Sequence, residues 1–147
     1  MKVVIQRCLS GNVSANNKTI NEITKGLVIL VGISIEDNEQ DIEYLVRKII
    51  NLRIFDDENG IMNKSIIDIK GEILSISQFT LQANTKEGNR PSYINAMKGE
   101  EAQKLYEEFN KNLNEHIKTY PGIFGAEMIV NINNDGPVTI IIDSKNK

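Results

Sequence analysis

The chain has almost none of the residues from which most catalytic and metal centres are built. One cysteine, Cys8, and one histidine, His116, occur among 147 residues. A single cysteine excludes an internal disulfide. A lone Cys and a lone His exclude a Cys/His zinc cluster within one subunit. No apolar run approaches the ~20 residues needed to span a bilayer, so no membrane partner is expected. The first seven residues, Met1-Lys2-Val3-Val4-Ile5-Gln6-Arg7, lack the apolar stretch and cleavage pattern of a secretory signal. A cytoplasmic location is the expectation. The net charge of −3 argues against a broad electrostatic grip on nucleic acid, which needs a basic face. It leaves room for contact with a short single-stranded end.

What is present reads as one domain over residues 1–147, without repeat, linker or low-complexity stretch, and long enough to bury a core unaided. Val3 to Cys8 has the character of a first strand. Val13 opens a short second one after Ser10-Gly11-Asn12, and Asn16-Asn17 suits a turn. Residues 26–33 form a continuous apolar run between glycines, the pattern of a central strand buried on both faces. Asp37 three residues before Gln40 resembles a capping box. Ile42, Leu45, Val46, Ile49 and Ile50 then recur with helical period. Asp56 to Gly60 reads as an acidic turn. Glu72 to Phe79 is a further buried strand, and a polar stretch runs from Gln82 to Pro91. A second amphipathic helix is expected over 100–117, and final strands over 126–133 and 138–143. Strands outnumber helices, and the two are not regularly interleaved. The expected class is α+β: a curved, mostly antiparallel, barrel-like sheet with two main helices on one side.

One place resists this reading. Asn134-Asp135-Gly136-Pro137-Val138-Thr139 joins the last two strands. Asp-Gly between apolar runs signals a tight hairpin. Pro137 conflicts with it, having no N–H for the second strand's ladder. It also makes the Gly136-Pro137 bond one of the few for which cis is accessible. A turn that only had to turn does not need this proline.

Side chains able to carry chemistry are few. Ser75-Ile76-Ser77-Gln78-Phe79-Thr80-Leu81 ends a strand and enters a polar loop, where functional groups are commonly displayed. Ser77, Gln78 and Thr80 gather hydroxyl and amide groups around Phe79; the plainer alternative is a wet sheet edge. His116 suits the end of an amphipathic helix better than a hydrolytic triad. Cys8 reads as a small buried residue. Asp56, Asp57 and Glu58 lack a cation-binding loop pattern. Lys86 and Arg90 make the 85–90 loop basic, for solvent or for a phosphate. Without a catalytic histidine or metal, the set suits an activated ester better than an amide, because positioning and oxyanion stabilisation then suffice.

Ser77-Gln78-Phe79-Thr80-Leu81 and Asn134-Asp135-Gly136-Pro137-Val138-Thr139 resemble the two signature motifs of the D-aminoacyl-tRNA (D-tyrosyl-tRNA) deacylase family. Val4-Ile5-Gln6-Arg7, Lys48-Ile49-Ile50-Asn51-Leu52-Arg53-Ile54-Phe55, Gly60-Ile61-Met62-Asn63, Arg90-Pro91-Ser92 and Phe124-Gly125-Ala126 follow in the family's order, so the likeness spans essentially the whole chain. The resemblance implies that family's fold and a cytoplasmic, homodimeric esterase without a cofactor or metal. It would act in translation quality control, at the aminoacylated 3′ end of tRNA, releasing D-amino acids and wrongly attached glycine. It implies a cis Gly136-Pro137 whose carbonyls enter the partner subunit's site, hold the substrate ammonium and exclude an L side chain. Arg7 would orient that motif. Ser77, Gln78, Phe79 and Thr80 would form the catalytic pocket.

Two mechanisms fit those residues. Thr80 as nucleophile needs a base that the sequence does not supply. The tRNA's terminal 2′-hydroxyl can assist instead, with backbone N–H groups near Phe79 and Thr80 binding the oxyanion; this is the preferred reading. Phe124 and Met128 are candidates for packing the terminal adenine, with ordinary core as the alternative. Lys86 and Arg90 are candidates for its phosphates, although Asn89 stands where the family usually has positive charge. A nucleic-acid-binding module without catalysis and a small-molecule or interaction protein are the competing classes.

Overall fold

A computed structural model describes all residues, 1–147. Strand β1, Lys2–Ala15, is one 14-residue strand rather than two short ones. It stays continuous through Ser10-Gly11-Asn12 because β8, Ile129–Asp143, pairs with it antiparallel along nearly its whole length. On its other side β1 pairs first with β3, Gly26–Gly32, and then with β2, Lys18–Ile23. The β1–β2 turn is Asn16-Asn17, both in the left-handed region (φ 50° and 60°) that Asn tolerates.

Beyond β3 lie β6, Glu72–Ser77, and β7, Thr119–Pro121, giving the order β2-β1-β3-β6-β7 with β8 on β1. The β3–β6 and β6–β7 pairs are parallel. Each is connected through a helix, so one half of the sheet does interleave strands and helices, contrary to the sequence expectation. Parallel neighbours need such crossovers. The other half is antiparallel, and the class remains α+β. A separate two-stranded ribbon, β4 (Phe55–Asp56) with β5 (Met62–Lys64), carries the acidic turn.

Helix α1, Glu39–Asn51, starts one residue later than the sequence suggested. Asn38 is the cap and Asp41 closes the box. Asp37 is spent elsewhere: its carboxylate accepts from Ser34 N and from the Met1 ammonium. Helix α2, Gly99–Asn114, ends before His116, which is exposed beyond it. Ile42, Leu45 and Ile49 of α1 and Tyr106, Phe109 and Leu113 of α2 share one core cluster with Val3, Ile5, Leu27, Ile29 and Ile73. Both helices therefore cover one face. A smaller cluster of Cys8, Val13, Ile23, Val28, Leu74 and Ile76 fills the other.

Candidate functional site

Strand β6 stops at Ser77, earlier than expected, and Phe79–Gln82 turns as a short 3₁₀ helix. Gly32 at the end of β3 lets this turn close in: a Cβ there would lie 2.7 Å from Leu81 Cβ and 3.0 Å from Gln78 O. Gln82 Nε2 donates to Gly32 O at 2.9 Å, and Gln78 N to Val31 O at 2.7 Å. The turn is thus pinned to the sheet by bonds that any larger residue at Gly32 would disturb. Gln78 Nε2 donates to Thr80 Oγ1. Phe79 is 53% exposed, its ring meeting Tyr93 edge-on at 5.0 Å.

Ser77, Gln78 and Phe79 line a cavity of about 460 Å³ together with Phe124 and Met128. Four of the sequence candidates for catalysis or adenine packing therefore stand beside Gln78 around one space. Phe124 and Met128 are half-buried against the two core clusters, so they form its wall rather than core proper. Thr80 is joined to the group through Gln78 but does not line the cavity. Lys86 and Arg90 lie exposed on the 83–92 loop, and His116 is also outside the cavity wall. Sequence reading missed Met97, Lys98 and Gly99, which bring the start of α2 to the rim. Their one signal is a lysine at the N-cap with no side-chain bond to the helix, where Ser, Thr, Asp or Asn is usual.

The Gly136-Pro137 segment is not a hairpin. Cys8 pairs with Asn134 and Gln6 with Thr139. Two steps on β1 thus face five on β8, and the three extra residues bulge from a single strand. This corrects the reading of two strands joined by a turn. The bulge resolves the misplaced proline, because bulged residues need no ladder donor. The Gly136-Pro137 bond is cis, and Gly136 has φ 113°. Both residues are exposed. Asn134 Nδ2 bridges the neck of the bulge, donating to Arg7 O at 2.9 Å and Val138 O at 3.2 Å.

Arg7 sits beneath it, 7% exposed. Its Nη1 donates to Ile54 O at 2.8 Å and lies 3.3 Å from Asp56 Oδ1. Its Nε lies 3.0 Å from Asp135 Oδ2 without the alignment of a hydrogen bond, a charge contact across the bulge. Next to it, Cys8 is fully buried; burial above all pushes its thiol up to about 11, with the Asp135 charge adding to the effect.

Within one chain the bulge and the cavity are apart. Ser77 stands across Val31 from Val3, whereas the bulge stands opposite Arg7. On β8 itself the cavity reaches Val130, paired with Val13, whereas the bulge begins after Asn134, paired with Cys8, five residues away along β1 or ~16 Å. Neither Gly136 nor Pro137 lines the cavity.

A pocket of hydroxyl, amide and aromatic groups at the end of a buried strand, plus a rigidly braced backbone projection elsewhere on the same sheet, defines an α+β protein equipped for positioning more than for acid–base chemistry. The sequence model of the family described as D-Tyr-tRNA(Tyr) deacylase matches residues 4–143. A D-aminoacyl-tRNA deacylase of Flavobacterium psychrophilum is 58% identical over 149 residues, covering 100% of this chain and 99% of that protein. One of Clostridium novyi is 52% identical over 146 residues, covering 99% and 98%. Among solved structures, the c-Myc DNA unwinding element binding protein has a TM-score of 0.93 at 43% identity, covering 97% of this chain and 98% of its own. A probable eukaryotic D-amino acid tRNA deacylase shares the fold, with a TM-score of 0.81 at 16% identity over 96% and 97% of the two chains. The chain belongs to the D-Tyr-tRNA(Tyr) deacylase family, and with it to the ester hydrolases that act on D-aminoacyl-tRNA.

Proposed function

We propose that this protein is a cytoplasmic homodimer that hydrolyses D-aminoacyl-tRNA and glycyl-tRNA and rejects L-aminoacyl-tRNA with the Gly136-Pro137 backbone of the partner copy. The observation that carries this reading is the bulge itself. It is exposed, braced by the buried Arg7, and set further along β8 than the Val130 end that lines its own cavity. A second copy is the natural receiver. Strand β8 supports this: it is a 15-residue edge with Ile129 and Ile141 66% and 67% exposed, the kind of edge that proteins seldom leave uncovered.

Chirality resides at Cα, so a filter that works for many side chains should read the atoms around Cα. Backbone carbonyls of Gly136 and Pro137 accept from the substrate ammonium and leave no space for an L side chain. The discrimination is a clash against the wrong enantiomer, and the bracing means little conformational freedom is lost on binding. Glycine has no side chain to clash and passes.

Hydrolysis needs an oxyanion site and an oriented water more than a strong base. The first bond of the 3₁₀ turn is Leu81 N to Gln78 O, so the N–H groups of Phe79 and Thr80 precede it and have no partner within the turn. They suit a developing oxyanion. Thr80 Oγ1 has an amide donor for a neighbour, not a base. The terminal 2′-hydroxyl of the tRNA then assists the water, Ser77 and Gln78 shape the pocket, and Phe124 and Met128 pack the terminal adenine. Lys86 and Arg90 touch acceptor-end phosphates at the periphery. Ester loss from D-Tyr-tRNA, L-Tyr-tRNA and Gly-tRNA tests the reading. Rapid loss from the first and third with the second spared supports it, and equal D and L rates contradict it.

A further inference from the structure

Tyr106 belongs to neither signature motif and does not line the cavity, yet it reaches two of the cavity's walls from behind. It is 2% exposed on α2. Its hydroxyl donates to Ser75 O at 2.7 Å. The same carbonyl accepts from Gly122 N at 2.8 Å. Ser75 lies two residues before Ser77, and Gly122 two residues before Phe124. One oxygen, using both lone pairs, therefore ties α2 to the strand that ends in the pocket and to the segment that carries Phe124. The Tyr106 ring also meets the Phe124 ring, with centroids 5.8 Å apart and a 39° tilt. Burial raises the phenol's pKa, so it remains a donor at neutral pH.

The segment it supports has few backbone hydrogen bonds. Between Gly122 and Met128 the backbone bonds are Gly122 N to Ser75 O and Ala126 N to Ile123 O. Phe124 is followed by Gly125 in the left-handed region, with open space around it. Its backbone is tied to the sheet at the Ser75 carbonyl, and Phe124 packs on the Tyr106 ring within the larger core cluster while Met128 packs on the smaller one.

We propose that Tyr106 is a positioning residue. It holds Phe124 at the separation from Ser77–Phe79 at which the terminal nucleoside of the tRNA is gripped. This rests on the cavity receiving the aminoacylated end. The effect belongs to binding and acts through Phe124, not on the reacting atoms.

The test compares Tyr106→Phe, Tyr106→Leu, Phe124→Ala and the double variant Tyr106→Phe/Phe124→Ala, by steady-state hydrolysis of D-Tyr-tRNA and by thermal melting. Loss of one hydrogen bond predicts a KM for Tyr106→Phe raised roughly three- to ten-fold with kcat within about two-fold. Tyr106→Leu, which loses the ring as well, should raise KM further. The double variant should have a KM within about two-fold of Phe124→Ala alone, because the two residues act as one unit. A lowered melting temperature with KM unchanged would make Tyr106 a packing residue and overturn the inference, as would KM effects that multiply in the double variant. A wild-type protein that spares D-Tyr-tRNA would instead overturn the functional reading on which the inference rests.

Discussion

Arg7 Nε and Asp135 Oδ2 lie 3.0 Å apart, joining the middle of β1 to the bulge that interrupts β8. Arg7 is buried while Asp135 is partly exposed, with side-chain exposures of 8% and 32%. The guanidinium is already committed to Ile54 O and Asp56, so it is a fixed point from which the bulge is hung.

Arg7→Ala should therefore damage both stability and selectivity. It strands the Ile54 carbonyl and leaves two carboxylates without their cation. Both carboxylates are partly exposed and can be solvated, so the loss is mainly the bond to Ile54 O and the packing of a buried side chain, about 1–3 kcal/mol, or a fall in melting temperature of roughly 2–12 °C for a chain of this size. Arg7→Lys should recover part of the stability but not the orientation, since an ammonium lacks the fork. Melting curves alongside D- and L-Tyr-tRNA rates check this; the D/L ratio should fall in both variants.

Gly136→Ala tests the bulge itself. The added Cβ would lie 2.8 Å from Val138 Cγ2 and 3.1 Å from Arg7 Nη2, at a φ of 113° that L residues rarely adopt. The local cost is on the order of 1–3 kcal/mol. D-Tyr-tRNA hydrolysis should drop at least ten-fold (~1.4 kcal/mol of transition-state stabilisation). Gly60→Ala is the control: its φ is also positive, at 75°, but open space surrounds it and it sits on the β4–β5 ribbon. It should leave the D/L ratio unchanged.

Thr80→Ala should keep substantial hydrolysis, with kcat lowered no more than about ten-fold, the scale of one lost neutral hydrogen bond. A trapped acyl-Thr80 in the wild type, or abolished activity in the variant, would contradict this. His116→Ala should have wild-type kinetics, because the imidazole is exposed past the end of α2.

Cys8 should be inert. Its thiol is fully buried and its pKa lies near 11, so almost no thiolate exists at neutral pH. A thiol reagent should label it only after unfolding. Rapid labelling of the native protein would show that Cys8 is open to solvent and contradict its burial.

Acid should loosen the latch between the C-terminal residues and α1. Burial would raise the Asp41 carboxyl, but hydrogen bonds from Lys145, Ser144 and the Asn38 N–H outweigh it and bring the pKa to about 2. Lys145 Nζ lies 2.8 Å from Asp41 Oδ2. A carboxyl depressed on folding stabilises the native state above its unfolded pKa of ~4 and ceases to as pH falls through the folded value. The contribution should be intact at pH 7 and fade between about pH 4 and 2. Lys145→Ala should shift acid unfolding to higher pH, as read by circular dichroism.

Much of this was legible in the residues, and the exceptions have physical causes. Residues 26–32 read as a central strand because both faces are apolar, and they are β3. The α1 core face followed from period alone. The continuity of β1 was hidden because Ser10-Gly11-Asn12 has turn-like composition, and only pairing with a distant strand keeps it extended. The bulge was misread for the same reason: Asp-Gly is a local hairpin signal, overridden here by a ladder to β1 on both sides of it. The β6–β7 parallel pair was missed because β7 is only three residues long, and the β3–β6 pair because the β4–β5 ribbon stands between α1 and β6 and hides the strand-helix-strand order. For the candidate site, the Ser77-to-Leu81 motif marked one wall of the cavity. The rim from Met97, Lys98 and Gly99 has only the faint mark of a lysine at the N-cap, and Tyr106 behind the wall has none, since α2 brings them there through tertiary packing.

The central claim is that the chiral filter is lent by the partner copy, and subunit mixing tests it most directly. Gly136→Ala has a sound pocket and a damaged filter; Phe79→Ala has the reverse. Each homodimer alone should be poorly active. If the filter acts across the interface, a heterodimer contains one site with both parts intact. Random 1:1 reassociation of the two should then restore about a quarter of wild-type D-Tyr-tRNA hydrolysis, with L-Tyr-tRNA still spared. Activity no greater than the mean of the two separate variants would place filter and pocket in the same chain and contradict the account.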